Sequence, residues 1–600
     1  MLAWITGKLA PPDNSLATEA GIDAFLESIS MSKPAQALDE IGYRFASIAG
    51  AGPDSAARRR ALLRLDDAAQ APQSELWQNV SSDGLGALIL GSSWRALADF
   101  LHNVSCGYRN CLEQLPAPAD LDDSELQDTL LMVNRAIAAL ASHNALARIR
   151  YREPDSAHWT DIHALFARAL QYGVAHCPVK LYPGMAHQTT AEREYVGALL
   201  FAVAPTGNLV PAQTHCLHLL LRHFNEHYHF ADSYSPETPY YVDPIRNKPP
   251  QRWLVGLGPR PGLRFFGFGG ARNSLAVLRE AARASTKRPQ WVEQSRIDIA
   301  AYRALLDTLY EHWSDHPPQR RGRRERRIAG IIVTHGFASV HRVIARSKLS
   351  KRDKLVEYAK YSAHQPLNFI ASRFGSVRDD VPPPDLLPEP SAGPRERRSG
   401  GDRGIIERWS VVDVSSGGVG ALAENHRGWL RVGMLVGFRY HNSTDWQIAT
   451  VRRLRCTPQS KLTVGLECQG ELMGCALLRF EDALDTDVWL SAGIGRDPLA
   501  DAILVGGERR TLVVAAGTYA PERVCVMKFG ERRQTIRFDE LVERGLDFER
   551  ISYSQVLQDE KVRHHNGDAH DSGRYVYGAA LPWSGCSTPP GAVAKPVSTP

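Results

Sequence analysis

Apolar positions in the first half of the chain recur at helical spacing. Leu126, Leu130, Val133, Ile137 and Leu140 form one stripe, and Ile162, Leu165, Phe166, Ala169 and Leu170 a second. Ser124 and Gln127 ahead of the first stripe have the spacing of a capping box. Residues 207–221, 273–284 and 297–313 suit further helices, and the Gly- and Pro-punctuated stretch Trp253–Phe268 suits short strands. Residues 1–315 therefore read as a mostly helical module with room for two subdomains. No fixed-period repeat supports a solenoid.

From Ile328 the period changes to that of strands: IAGIIVTHGF, WSVVDV from Trp409, MLVGFRY from Met434 and WQIATVRRL from Trp446. KLTVGLEC is the clearest, because Leu462, Val464, Leu466 and Cys468 alternate with Thr463, Gly465 and Glu467, the pattern of a half-buried strand. Such a series predicts a small antiparallel barrel over 316–484. It is interrupted by residues 346–372, which read as helical and basic, and by 376–404, whose composition is that of a flexible linker. AILVGG, RTLVVAAG, RVCVMKF and QTIRF predict a further small β-rich unit over 485–559, and 560–600 reads as a disordered tail. The expected fold class is multidomain α+β.

The chain has 600 residues, with 71 Lys and Arg against 66 Asp and Glu, a net charge of +5. A chain this close to neutral is no polyelectrolyte binder as a whole, so any basic site is local. Nine scattered cysteines without a CxxC pair argue against a disulfide framework. The longest apolar run, Tyr195–Ala204, is about half of what a bilayer requires, and Lys8 and two prolines interrupt the N-terminal apolar stretch. These features predict a cytoplasmic protein without a membrane span.

The densest charge is Arg320–Arg327, RRGRRERR, rooted on the strand that begins at Ile328. Taken alone it is a solvated basic linker or an electrostatic arm for nucleic acid. Farther along, Asp413-Val414-Ser415-Ser416-Gly417-Gly418 follows an apolar strand. Arg323-x-x-x-Arg327 directly before a first barrel strand, Asp413-x-Ser415-x-x-Gly418, and the strand series to VGLEC at 464–468 together resemble the PilZ family of cyclic-di-GMP receptors over roughly 320–480. The resemblance implies that Arg323 and Arg327 hold phosphates and guanine edges, and that Asp413, Ser415 and Gly418 face a guanine.

The residue types suit those roles. Arginine's fork bonds bidentately to phosphate or to guanine O6 and N7, and its plane stacks on a base. Aspartate accepts from the guanine N1 and N2 donors, and glycine at φ > 0 lets a ligand approach the backbone. The two motifs are farther apart than in that family, and the excess is assigned to an insertion at 346–404 that loops out of the barrel. Arg320 and Arg324 satisfy the same four-residue spacing. Arg323 and Arg327 are preferred because the second then abuts the strand.

Two other clusters carry weaker signals. His215, His218, His223, His227 and His229 crowd one segment, with His223 and His227 at i, i+4 as in metal-ligating helices. No HExxH or Cys pair accompanies them, and packing or surface roles suit them better. Gly267–Gly270 fits a plain turn better than a phosphate-binding loop. Neither GxSxG nor a Cys-His signature is present, so no reaction, cofactor or bound metal is expected. The reading is thus a cytoplasmic c-di-GMP effector. Its arginine segment, Pro317–Arg327, is self-repelling and mobile until a ligand pins it and reorients the helical module, which has a protein partner of its own. The alternatives are a nucleic-acid-binding regulator using Arg320–Arg327 and a metal-dependent enzyme using His215–His229.

Overall fold

The structure is a computed structural model that describes residues 19–50, 55–81, 87–185, 187–254, 258, 260–314, 324–348, 406–423, 429–457, 461–480, 499–507 and 510–556. The basic helix expected over 346–372 falls almost wholly outside these residues, and the linker over 376–404 and the tail from 560 fall outside entirely.

The N-terminal half is helical. Two long helices, Ala87–Gln114 and Asp123–Ile149, pack on each other and carry the shorter ones around them. The second starts two residues earlier than Ser124 suggests. Asp122 is the N-cap, its carboxylate accepting from the Glu125 amide at 2.8 Å while Glu125 accepts from the Asp122 amide at 3.3 Å. The expected stripe is the buried face of this helix: Leu130, Val133, Ile137 and Leu140 join a single large core with Trp159, Ile162, Leu165 and Phe166 of Ser156–Gln171. Helices also occupy Pro211–His223, Ala271–Ala284 and Ile299–His312. Four short strands, β1 (His229–Ala231), β2 (Tyr240–Val242), β3 (Gln251–Arg252) and β4 (Arg264–Gly267), form one sheet in the order β1-β4-β2-β3. Among the described residues no helix is long and apolar enough to cross a membrane.

The C-terminal half holds two closed antiparallel barrels. The first comprises β5 (Glu325–His335), β6 (Glu407–Ser415), β7 (Gly418–Ala423), β8 (Leu435–Tyr440), β9 (Gln447–Cys456) and β10 (Leu462–Cys468), closed in the order β10-β7-β6-β5-β8-β9. The alternation in β10 places Leu462, Val464 and Leu466 in the barrel core. The second comprises β11 (Glu471–Phe480), β12 (Leu499–Gly506), β13 (Thr511–Ala515), β14 (Val524–Phe529), β15 (Arg532–Arg544) and β16 (Phe548–Gln555), in the order β11-β12-β13-β16-β15-β14. Numbered from its own first strand, each barrel has the same neighbours all the way round. The β-rich unit expected after 485 is thus a complete barrel, and it takes its first strand from 471–480.

The barrels share a wedge. The helix Phe337–Lys348, which follows β5, buries Phe337, Val340 and Ile344 against Leu435 and Ile448 of the first barrel and Ile503, Val505, Val513 and Phe548 of the second. Asp547 of the second barrel accepts from the Phe337 amide at 2.8 Å and the Leu435 amide at 2.9 Å. The helical half meets the first barrel at Tyr151. This residue has φ 57, its carbonyl accepts from the Cys456 amide at 2.8 Å, and its ring packs with Val210 against the barrel core. Beside it, Arg455 donates to Glu153 at 2.6 Å.

Candidate functional site

β5 and β6 are hydrogen-bonded neighbours along their length, from Glu325↔Val414 to Val333↔Glu407, although more than seventy residues separate them in the chain. The two distant motifs are therefore cross-strand partners: Arg326 stands opposite Asp413. A cleft of about 450 Å³ opens there, lined by Glu325, Arg326, Arg327, Val414, Ser415 and Ser416.

Arg327 and Ser415 line this cleft. The Arg327 guanidinium lies 5.1 Å from the centre of the Tyr440 ring, a cation–π contact. Ser415 closes the two-residue turn between β6 and β7, its hydroxyl donating to the Gly418 carbonyl at 3.3 Å.

Asp413 stands beside the cleft, and its carboxylate is taken by an arginine of the other register. Arg324 Nη1 donates to both carboxylate oxygens, at 2.8 and 3.1 Å. Arg320 and Arg323 lie outside the described residues. The glycine opposite Asp413 is what lets the carboxylate lie across the sheet, because a Cβ on Gly420 would sit 2.4 Å from Asp413 Oδ1. Sequence reasoning missed Gly420 and Tyr440, and set Arg324 aside as the alternative register. Tyr440 was legible only as the polar end of a strand.

Gly418 has a different role from the expected one. It is not at positive φ and it does not line the cleft. It pairs with Glu467 of β10, and a Cβ there would lie 2.2 Å from the Leu466 carbonyl oxygen, so glycine is needed for strand closure rather than for ligand approach.

The register of the ladder is broken at the site. Arg326↔Asp413 is followed by Ala329↔Val411, so Arg327 and Ile328 together oppose the single residue Val412. On its other side Val412 is skipped by β7, which pairs Val411 with Ala421 and Asp413 with Gly420. These are β-bulges, which bend a strand and re-aim its side chains.

The histidine segment does not assemble a metal site. His223 ends the helix Pro211–His223, and His227 lies beyond it in the 3₁₀ turn Asn225–His227, so the i, i+4 relation is not one helix face. His223 stacks on Trp291 at 4.6 Å, while His229 in β1 pairs with Glu237 at 3.1 Å. His215 and His218 are buried and both stack on Trp77, and His215 shares a 2.8 Å hydrogen bond with Ser81. Burial holds the His215 imidazole down at about 3 and His218 well below its ordinary value, so both are neutral packing groups. Among the described residues no cluster of three His, Cys, Asp or Glu could hold a metal ion. The Gly267–Gly270 segment is a turn from β4 into the helix Ala271–Ala284, with Gly269 at φ +50 packed against the His227 carbonyl. The described cysteines are free thiols.

Residues 20–235, about a third of the chain, match the family model described as "Cyclic-di-GMP receptor FimW, N-terminal domain". The match covers helical structure and the start of the small sheet, and ends well before either barrel. No curated protein matches the chain.

Proposed function

We propose that the chain is a cyclic-di-GMP-binding regulator that holds the nucleotide at the cleft of its first, PilZ-like barrel. The observation that carries this reading is the meeting of two motifs, 86 positions apart between Arg327 and Asp413, on adjacent strands around one open cleft. The family match supports it from a separate part of the chain, since it falls on the helical half and owes nothing to the barrel motifs. Arg327, with Arg323 preceding it, binds the phosphates and guanine edges, while Asp413 exchanges Arg324 for the guanine N1 and N2 donors. Ser415 faces the base from the turn.

In this reading nucleotide binding reorients the helical module across the Tyr151 seam, because only an interaction that differs between two arrangements can shift their balance. The chemistry is recognition, with no reaction assigned. Calorimetry of the full chain tests the reading: c-di-GMP binds, GTP and a generic duplex bind far more weakly, and Arg327→Ala costs about 1.5–3 kcal/mol of binding, the worth of a charge-assisted hydrogen bond. Unchanged affinity in that variant refutes the site. Hydrogen exchange at 151–153 and 454–456 on adding nucleotide tests the reorientation. Protection confined to 324–330 and 411–420 refutes it.

A further inference from the structure

Ile328 is fully exposed, at 102% of its reference area, and is the most exposed large apolar side chain described. Val412, across the bulge from it, is 46% exposed. Scattered apolar residues on a surface need no explanation. These two differ, because they lie together on the outer face beside Arg327 and Asp413: Ala329 and Val411, the neighbouring pair, pack against the barrel core, which turns Ile328 and Val412 outward. Arg327-Ile328 on β5 faces Val412-Asp413 on β6, so each charged residue has an apolar one beside it. What the bulge adds is Arg327, so that two residues of β5 stand against Val412.

The geometry points to Ile328 and Val412 as an apolar floor on which one purine face of the ligand packs. This deepens the c-di-GMP reading of the same cleft and rests on it. A guanine in the cleft offers its edge to Asp413 and Arg327 and its face to Ile328 and Val412. Hydrogen bonds to a base edge in open water compete with solvent and contribute little on their own. Covering one face of the base with aliphatic carbon removes water beside those bonds and adds apolar contact. A bare polyanion gains nothing from such a floor, so the pair distinguishes a nucleobase ligand from a phosphate-only one. Ile328 and Val412 are thereby base-contacting residues, in addition to the arginines and Asp413.

Binding of c-di-GMP and of inorganic pyrophosphate to the full chain, with Ile328→Ser, Ile328→Val and Val412→Thr, tests this. Losing roughly 50 Å² of apolar contact at about 25 cal/mol/Å² predicts that Ile328→Ser weakens c-di-GMP binding about five- to tenfold. Ile328→Val stays within about twofold of the parent, Val412→Thr falls between, and pyrophosphate binding and the melting temperature are unchanged in all three. If Ile328→Ser and Val412→Thr bind c-di-GMP like the parent while Arg327→Ala loses it, the floor is wrong and the nucleotide site stands. Equal losses for c-di-GMP and pyrophosphate also overturn the floor. Failure of the parent protein to bind c-di-GMP overturns both.

Discussion

Arg324 and Asp413, 89 residues apart in sequence, are joined by one guanidinium nitrogen that reaches both carboxylate oxygens, at 2.8 and 3.1 Å. Both side chains remain partly exposed. The pair closes the very carboxylate that the proposed ligand requires, so binding exchanges an arginine donor for guanine donors.

An exchange of that kind has a thermodynamic signature. Asp413→Ala is expected to weaken c-di-GMP binding about tenfold, through the loss of a charge-assisted acceptor. It should leave duplex DNA binding unchanged or raise it, because a negative charge is removed from a basic rim. Arg324→Gln should lower stability by less than about 1 kcal/mol, as exposed ion pairs contribute little. Titrations of both ligands against both variants, with denaturation curves, provide the check. A variant that keeps c-di-GMP affinity but alters DNA binding would favour a polyanion arm instead.

Gly418 and Gly417 are neighbours with opposite expectations. A Cβ on Gly418 meets the Leu466 carbonyl at 2.2 Å, and one on Gly417 meets nothing within 4 Å. Gly418→Ala should therefore cost about 1–3 kcal/mol by forcing β7 from β10, and Gly417→Ala should stay within about 0.5 kcal/mol of the parent. Urea denaturation distinguishes the two. Equal costs would show that the pairing of β7 with β10 is not what glycine serves here.

Burial of His215 sets a pH dependence of stability. Its folded value of about 3 lies below the ordinary imidazole value of 6.5. Between those values the unfolded chain binds the proton and the folded chain does not, so stability is full above pH 6.5 and is lost as pH falls. At pH 5 the loss is about 2 kcal/mol for this residue alone. His158, held at about 4 by burial, adds to it in the same direction. Denaturation curves from pH 7.5 to 4.5 should slope less in His215→Gln than in the parent. Parallel slopes would mean that the His215 ring takes up a proton in place.

A different titration marks the surface of the long helix Ala87–Gln114. Cys106 lies 3.6 Å from His102 Nε2 one turn earlier, and that hydrogen bond lowers the thiol below its ordinary range while raising the imidazole. Iodoacetamide should modify Cys106 with a pH midpoint below that of a free thiol, and His102→Asn should move the midpoint upward. An unmoved midpoint would assign the shift elsewhere, with Arg109 at 4.0 Å the remaining donor.

The elements most legible in the sequence were those with one wet and one dry face. β10 alternates because its inner side chains fill a barrel while its outer ones meet water, and the stripe of Asp123–Ile149 follows the same logic at helical period. β11 was not legible, since the outer face of ELMGCALLRF is partly covered and partly wet, with Leu477 and Arg479 exposed. Ala476, Leu478 and Phe480 line its own barrel, while Leu472 and Cys475 face the wedge between barrels. The helix cap was displaced by two residues because Asp122/Glu125 and Ser124/Gln127 satisfy the same spacing.

At the candidate site, residue types were legible and register was not. Which arginine meets Asp413 depends on a two-for-one bulge at Val412, and nothing in the local composition marks a bulge. Gly418 was assigned to the ligand because a turn glycine and a strand-closing glycine look alike in one dimension. Only the approach of the Leu466 carbonyl separates them.

β5 begins beside the cleft at Glu325 and ends at His335, one residue before the helix whose first amide is held by Asp547. The strand pairs with β6 from Glu325 to Val333 and with β8 from Ile331 to His335, and Gly336 at φ +82 makes the turn into the helix in a single residue. In mechanical terms it is a tie-bar: from Arg327 to the Phe337 amide held by Asp547 the chain is strand and one glycine, with no loop between. The second barrel repeats the strand order of the first, and none of its residues lines the cleft.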